Sequence, residues 1–177
     1  MSIILDKTVS LYSVDKLISE ARRIAAEYRR TTGKPLGISA EIARHDACTY
    51  LELEPHEGAI GYDAIGLKGH YDGVRFQIKG RAIFDEKKGG QRLGQIKIDQ
   101  DWDKVLLVLM DEDFETTEIY EASRENILSD VDELATSSRT KRGAMSVARF
   151  KRLARLVWNK DEGLIEDEVW DNQASNP

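Results

Sequence analysis

One cysteine in 177 residues is too few for an intramolecular disulfide or a multi-cysteine zinc site. Cys48 falls in a segment, Ala47-Cys48-Thr49-Tyr50-Leu51, that reads as helix, so a small buried apolar role is expected for it rather than a nucleophilic one. The three histidines, His45, His56 and His70, sit in a predicted helix, a loop and a turn, and no pair has the spacing of zinc ligands. No apolar run approaches the ~20 residues needed to cross a bilayer. The start, Met1-Ser2-Ile3-Ile4-Leu5-Asp6-Lys7, lacks the basic stretch and cleavage site of a secretory signal. A cytoplasmic protein with no membrane contact is the expectation.

What is present fits one domain with a real core: 41% of the residues are hydrophobic and 33% charged. The net charge of −6 gives no hint of a polyanionic partner, but its distribution does. Residues 1–134 hold 18 basic and 26 acidic side chains, residues 135–160 hold eight basic and no acidic ones, and residues 161–177 hold six acids and no base. At physiological salt a polyanion senses local charge, because contacts beyond about 8 Å are screened.

Apolar periodicity predicts a helix capped by Ser13 and running to about Arg30, and a second, capped by Ser39, from Ala40 to about Leu51. Residues 60–67 and 74–83 read as strands joined by a turn at Gly69–Gly73, and Leu93–Ile98 as a short strand. Lys104–Met110 is too uniformly apolar for a half-exposed strand and reads as a central one covered on both faces. Thr116–Ala122 reads as its neighbour, Arg124–Leu134 as a helix, and Ser146 as the cap of a last helix reaching about Asn159. The predicted class is α/β, a mixed sheet flanked by helices.

The chemistry concentrates at Asp63, at the end of one apolar strand, and at Gln77 and Lys79 on the next. Alternation puts Gln77 and Lys79 on one strand face, and Phe76 and Ile78 on the other. A carboxylate, a second oxygen ligand and a lysine at one point suit a divalent metal and a water to be deprotonated. Each also has an ordinary reading: Asp63 as a strand-end carboxylate bridging to Arg75 or Arg81, and Gln77 and Lys79 as the wet side of a half-exposed strand. Gly80 leaves room for another backbone to approach.

The stretch from Gly61 to Gly66 followed by Arg75-Phe76-Gln77-Ile78-Lys79-Gly80-Arg81 resembles the PD-(D/E)XK nuclease superfamily, in the Gln-x-Lys variant of Mrr-like restriction endonucleases. The resemblance is best over about residues 37–122. It implies a restriction-endonuclease-like domain over residues 1–160, while the acidic composition of 161–177 reads as a tail, flexible or loosely docked through Trp170. It implies Asp63 as central metal ligand, Gln77 coordinating through its amide oxygen, and the Ile78 carbonyl as a further ligand. Lys79 would act on the attacking water. Glu41, on an early core helix, would restore the charge that Gln77 lacks, though a glutamate in a first helical turn also simply favours the helix dipole. Magnesium or manganese suits such oxygen ligands. Two departures stand out: Gly61-Tyr62 replaces the proline that names the motif, and residues 84–103 lack the helical periodicity of the family's next helix.

Helical projection of Ser146–Trp158 puts Arg149, Lys151, Arg152 and Arg155 opposite Val147, Phe150, Leu153, Ala154, Val157 and Trp158. With Arg139, Lys141 and Arg142 just before it, this predicts a basic helix over 146–159 that grips phosphates; a face neutralised by the acidic tail is the alternative. The expected function is Mg-dependent endonucleolytic hydrolysis of phosphodiester bonds in DNA, with RNA not excluded. A homodimer fits such a role, because cutting both strands needs two sites. The alternative is the same fold kept as a DNA-binding or protein-docking module with weak or no catalysis.

Overall fold

The computed structural model describes residues 12–58, 61–85, 87, 90–133 and 143–165. Its elements are α1 (Val14–Thr32), α2 (Ser39–Tyr50), β1 (Leu53–Pro55), β2 (Ala64–Gly66), a 3-10 turn (Gly69–Tyr71), β3 (Arg75–Ala82), β4 (Lys104–Met110), β5 (Thr116–Ser123), α3 (Arg124–Glu133), α4 (Val147–Leu153), β6 (Arg155–Asn159) and β7 (Gly163–Leu164). The seven strands form one sheet in sequence order, antiparallel throughout except for the parallel pair β3–β4.

The predicted α/β class, a mixed sheet flanked by helices, is what the chain adopts. β4 is its centre: every residue from Val105 to Met110 is buried. Leu106, Val108 and Met110 join Phe76, Ile78 and Val157 in a core that includes Ala25 of α1 and Ile42, Ala43 and Ala47 of α2. Val105, Leu107 and Leu109 join Leu93, Ile96 and Trp102 in the opposite core, with Ile127 of α3 and Phe150 of α4. The period-2 alternation of one strand thus feeds two hydrophobic layers.

α1 begins where expected, the Ser13 hydroxyl accepting from the Lys16 N–H at 3.3 Å, and it ends on Gly33, whose φ of 71° suits the left-handed C-cap. Its seat on the domain is partly polar. Arg22, buried, bonds the Phe114 carbonyl and Asp46 of α2, and Asp46 also accepts from Thr116. Val14, Leu17, Ile24 and Tyr28 stay exposed. α2 packs hard on β3, because a Cβ on Gly80 would meet Ala43 Cβ at 2.5 Å and the Ser39 carbonyl oxygen at 2.6 Å. The room that Gly80 was expected to leave is filled by the start of this helix.

Four expectations fail. Ser39 is the first helical residue rather than the cap, which is Ile38 with no side-chain bond. Leu93–Ile98 is no strand; only Arg92 forms a bridge, to Ser146, and the crossover from β3 to β4 contains no helix among its described residues. The last helix does start at Ser146, whose hydroxyl accepts from the Arg149 N–H at 3.1 Å, but it stops at Leu153. Ala154 turns extended (φ −113°, ψ 160°) and residues 155–159 pair with β5 as β6. The helical period was a coincidence: Phe150 and Val157 enter cores on opposite sides of the sheet, which one helix face cannot do. Finally, the sheet continues past residue 160 into β7, and Ile165 N–H bonds the Val157 carbonyl, so the first part of the acidic stretch is ordered structure. The rest of that tail, from 166, lies outside the described residues.

Candidate functional site

β2 is short and β3 is long, and that mismatch makes the site. The ladder between them holds only Ala64↔Phe76 and Ile65↔Arg75. Asp63 closes it, its N–H donating to the Phe76 carbonyl at 2.7 Å. Beyond Phe76 the edge of β3 loses its strand partner, and the next N–H on that edge, Ile78, is taken by Asp63 Oδ2 at 2.7 Å. The carboxylate replaces a strand where two strands part. The N–H and C=O of one residue in a strand point to the same edge, so the Ile78 carbonyl opens toward Asp63. Because Ala64 faces Phe76 across the ladder, alternation puts Asp63 on the side of Gln77 and Lys79.

Lys79 is partly buried there. Its pKa lies below the ordinary lysine value: burial is the main cause, the Asp63 carboxylate opposes it, and the ammonium of Lys97 adds to the lowering. Gln77 is 1% exposed, and both ends of its amide are bonded. Its Nε2 donates to the Lys97 carbonyl and its Oε1 accepts from the Lys97 N–H, both at 3.1 Å. The indole N–H of Trp102 donates to the same carbonyl at 2.7 Å. Glu41, with 65% of its side chain exposed, pairs with Arg44 at 2.8 Å.

The structure therefore brings Asp63, the Ile78 carbonyl and Lys79 together. It places Gln77 beside them but turns its amide onto a backbone, and it directs Glu41 into an ion pair with its own helix. Among the described residues no group of three His, Cys, Asp or Glu side chains gathers to hold a metal. The set implied by the resemblance has only two carboxylates. Magnesium commonly takes one or two carboxylates and keeps several waters, and Asp63 with the Ile78 carbonyl meets that need. Gln77 could add only its second lone pair, and Glu41 only after leaving Arg44.

The remaining candidates resolve simply. Burial raises the Cys48 thiol to about 11, which suits an inert side chain. His45 bonds Asp15 and Asp46, and His56 and His70 lie against Tyr62 and Tyr71. The predicted basic segment is divided between α4 and β6. Arg139, Lys141 and Arg142 lie outside the described residues. Arg149, 15% exposed, bonds Asp130 through Nε at 2.6 Å. Lys151 pairs with Glu118 at 2.9 Å, and Arg155, a strand residue, with Glu121 at 3.2 Å. Arg152 is exposed. Among the described residues, the acids that pair with this segment come from α3 and β5.

Sequence reasoning missed Lys97 at the site. It also missed a buried cluster behind β4, where Glu121, 4% exposed, accepts from Lys104 at 2.7 Å and lies with Tyr71 and Arg155. No protein-family model matches this chain, and no curated protein is similar enough to serve as a relative.

Proposed function

We propose that the chain hydrolyses phosphodiester bonds in DNA with the help of a magnesium or manganese ion. One observation carries the reading: the Asp63 carboxylate stands at the parting of β2 and β3, bonded to Ile78 N–H, with the partly buried Lys79 next along the strand. When bound, the metal would polarise the phosphate and acidify a coordinated water. Asp63, through the oxygen not engaged by Ile78, and the Ile78 carbonyl would hold it. Lys79, whose ammonium burial makes easier to deprotonate, would give its own proton to solvent and then accept one from the attacking water. The water oxygen forms the new bond to phosphorus, and the sugar oxygen leaves and takes a proton from solvent. The resemblance to the PD-(D/E)XK superfamily supports the same reading.

A second reading has observations in its favour. Gln77 and Glu41, both expected at a metal, are bonded elsewhere. That arrangement fits a nuclease-like fold kept for binding DNA or docking a protein.

Incubating the chain with supercoiled plasmid separates the two. Nicking in Mg²⁺ or Mn²⁺ that stops in EDTA is expected, with Lys79→Ala still binding DNA but no longer cutting. Equal cutting by Lys79→Ala sinks the assigned role of that lysine. DNA binding without cutting under any metal leaves the docking module.

A further inference from the structure

We propose that Lys97 is a second phosphate-binding residue of this site, and that Gln77 is the positioning residue that holds it beside Lys79. The proposal rests on the phosphodiesterase reading for the identity of the anion, a backbone phosphate next to the one attacked.

The main chain of Lys97 is clamped from one side by both halves of a buried amide. Gln77 meets its N–H and its C=O in the way a neighbouring strand would. The assignment of the amide is fixed by its partners, since the flipped form would set oxygen against oxygen. Trp102 bonds the same carbonyl. Arg124 then locks the following turn, reaching the carbonyls of Ile98, Gln100 and Trp102 at 3.0, 2.8 and 3.1 Å while stacking on Trp102. Ile96 is fully buried and Ile98 partly so, whereas Lys97 between them is exposed. A backbone held this firmly presents one side chain outward. The loop also crosses the stem of Lys79: a Cβ on Gly94 would lie 4.0 Å from Lys79 Cδ.

Two lysines therefore share one side of the fork. Among the described residues no salt bridge reaches either ammonium, and the one carboxylate Lys79 senses is Asp63. Neighbouring like charges repel until an anion arrives. A lysine acts there as a point charge for phosphate.

The test uses the full chain, a short DNA duplex, binding in EDTA across a salt series, cleavage with Mg²⁺, and thermal melting. Lys97→Ala should melt like the parent and flatten the slope of log affinity against log salt by about 0.9, one phosphate contact. Lys97→Arg should restore it. Gln77→Glu removes the amide donor and sets a carboxylate against the Lys97 carbonyl, so it should flatten the slope like Lys97→Ala. A ligand role for Gln77 predicts instead an unchanged slope and a lower metal requirement, which overturns the positioning role. An unchanged slope in Lys97→Ala with cutting intact overturns the inference and leaves the nuclease reading standing. A slope that depends on Lys97 without any cutting does the reverse. Absence of DNA binding overturns both.

Discussion

Asp63 does two jobs in this structure, one for the fold and one for the proposed chemistry, and two substitutions pull them apart. Asp63→Ala leaves the N–H of Ile78, a residue 8% exposed, with no acceptor at a strand edge. An unsatisfied buried donor costs about 1–3 kcal/mol. Asp63→Asn keeps an oxygen in place and exchanges a charge-assisted bond for a neutral one, a loss of about 1 kcal/mol. The alanine variant should therefore be the less stable by about 1 kcal/mol, roughly 0.5 M in urea midpoint for a slope near 2 kcal/mol/M. Cutting should not follow stability. Both variants lose the anionic ligand, and several kcal/mol of metal assistance correspond to about 10³-fold in rate. Urea unfolding and plasmid nicking under native conditions measure the two axes. An Asn variant that cuts at more than a tenth of the parent rate removes Asp63 from the chemistry, and an Ala variant as stable as the Asn variant removes it from the fold.

Two further outcomes follow from ion pairs. Arg149→Gln should destabilise by about 2 kcal/mol, because it strands the half-buried Asp130 carboxylate, while leaving the salt slope of DNA binding unchanged; a flattened slope at normal stability would return Arg149 to the DNA surface. Burial pushes Glu121 upward, but bonds from Lys104 and Tyr71 and the charge of Arg155 outweigh it and hold the carboxyl below its ordinary value. A depressed carboxylate stabilises the fold above its unfolded pKa of about 4.3 and loses that contribution as pH falls through the lower folded value. Urea midpoints should then drop on acidification for the parent and less steeply for Glu121→Gln, which starts about 2 kcal/mol lower at pH 7 after a discount for the exposure of Lys104 and Arg155. Parallel pH curves for the two proteins contradict that assignment.

The sequence signals that survived are those in which local pattern and tertiary demand agree. Val105–Met110 is apolar at every position, and only a strand covered on both faces uses both parities. Ser13 and Ser146 cap because the residues after them turn helical at once, for 19 and 7 residues. Residues 154–159 went wrong because Leu156, Val157 and Trp158 fit either period, and the open edge of β5 decided for strand. β1 escaped notice because three residues, one of them Pro55, carry no period at all. At the site, the placing of Asp63 beside Gln77 and Lys79 was legible because strand alternation is strict. The partner of Gln77 was not, because a side chain clamping a main chain in the loop before β4 leaves no spacing to find. Glu41 was placed on the correct helix, but which way its carboxylate turns depends on Arg44 one turn away.

This fork is not a frayed edge, because it is held from both sides of the sheet. On one side α2 sits on Gly80 so closely that no side chain fits between them. On the other, the loop through Lys97 and Trp102 is tied to Gln77 and to Arg124. Between these supports β3 carries an N–H and a carbonyl without a strand partner from β2, and Asp63 answers only the first. The carbonyl and the second carboxylate oxygen are left at the fork, and Asp63 lies close enough for Lys79 to feel its charge. A binding site performs when its supporting groups cannot relax. Here the groups that cannot relax are buried and apolar or bonded to backbone, whereas those free to act are Asp63, Lys79 and the exposed Lys97. The same division explains why Gln77 is worth more as a support than as a ligand: moving its amide to a metal would release Lys97 and leave its N–H and the Gln77 amide N–H without partners in a buried setting, at about 1–3 kcal/mol for each. A single oxygen on a magnesium ion, which readily takes water in its place, does not offset that.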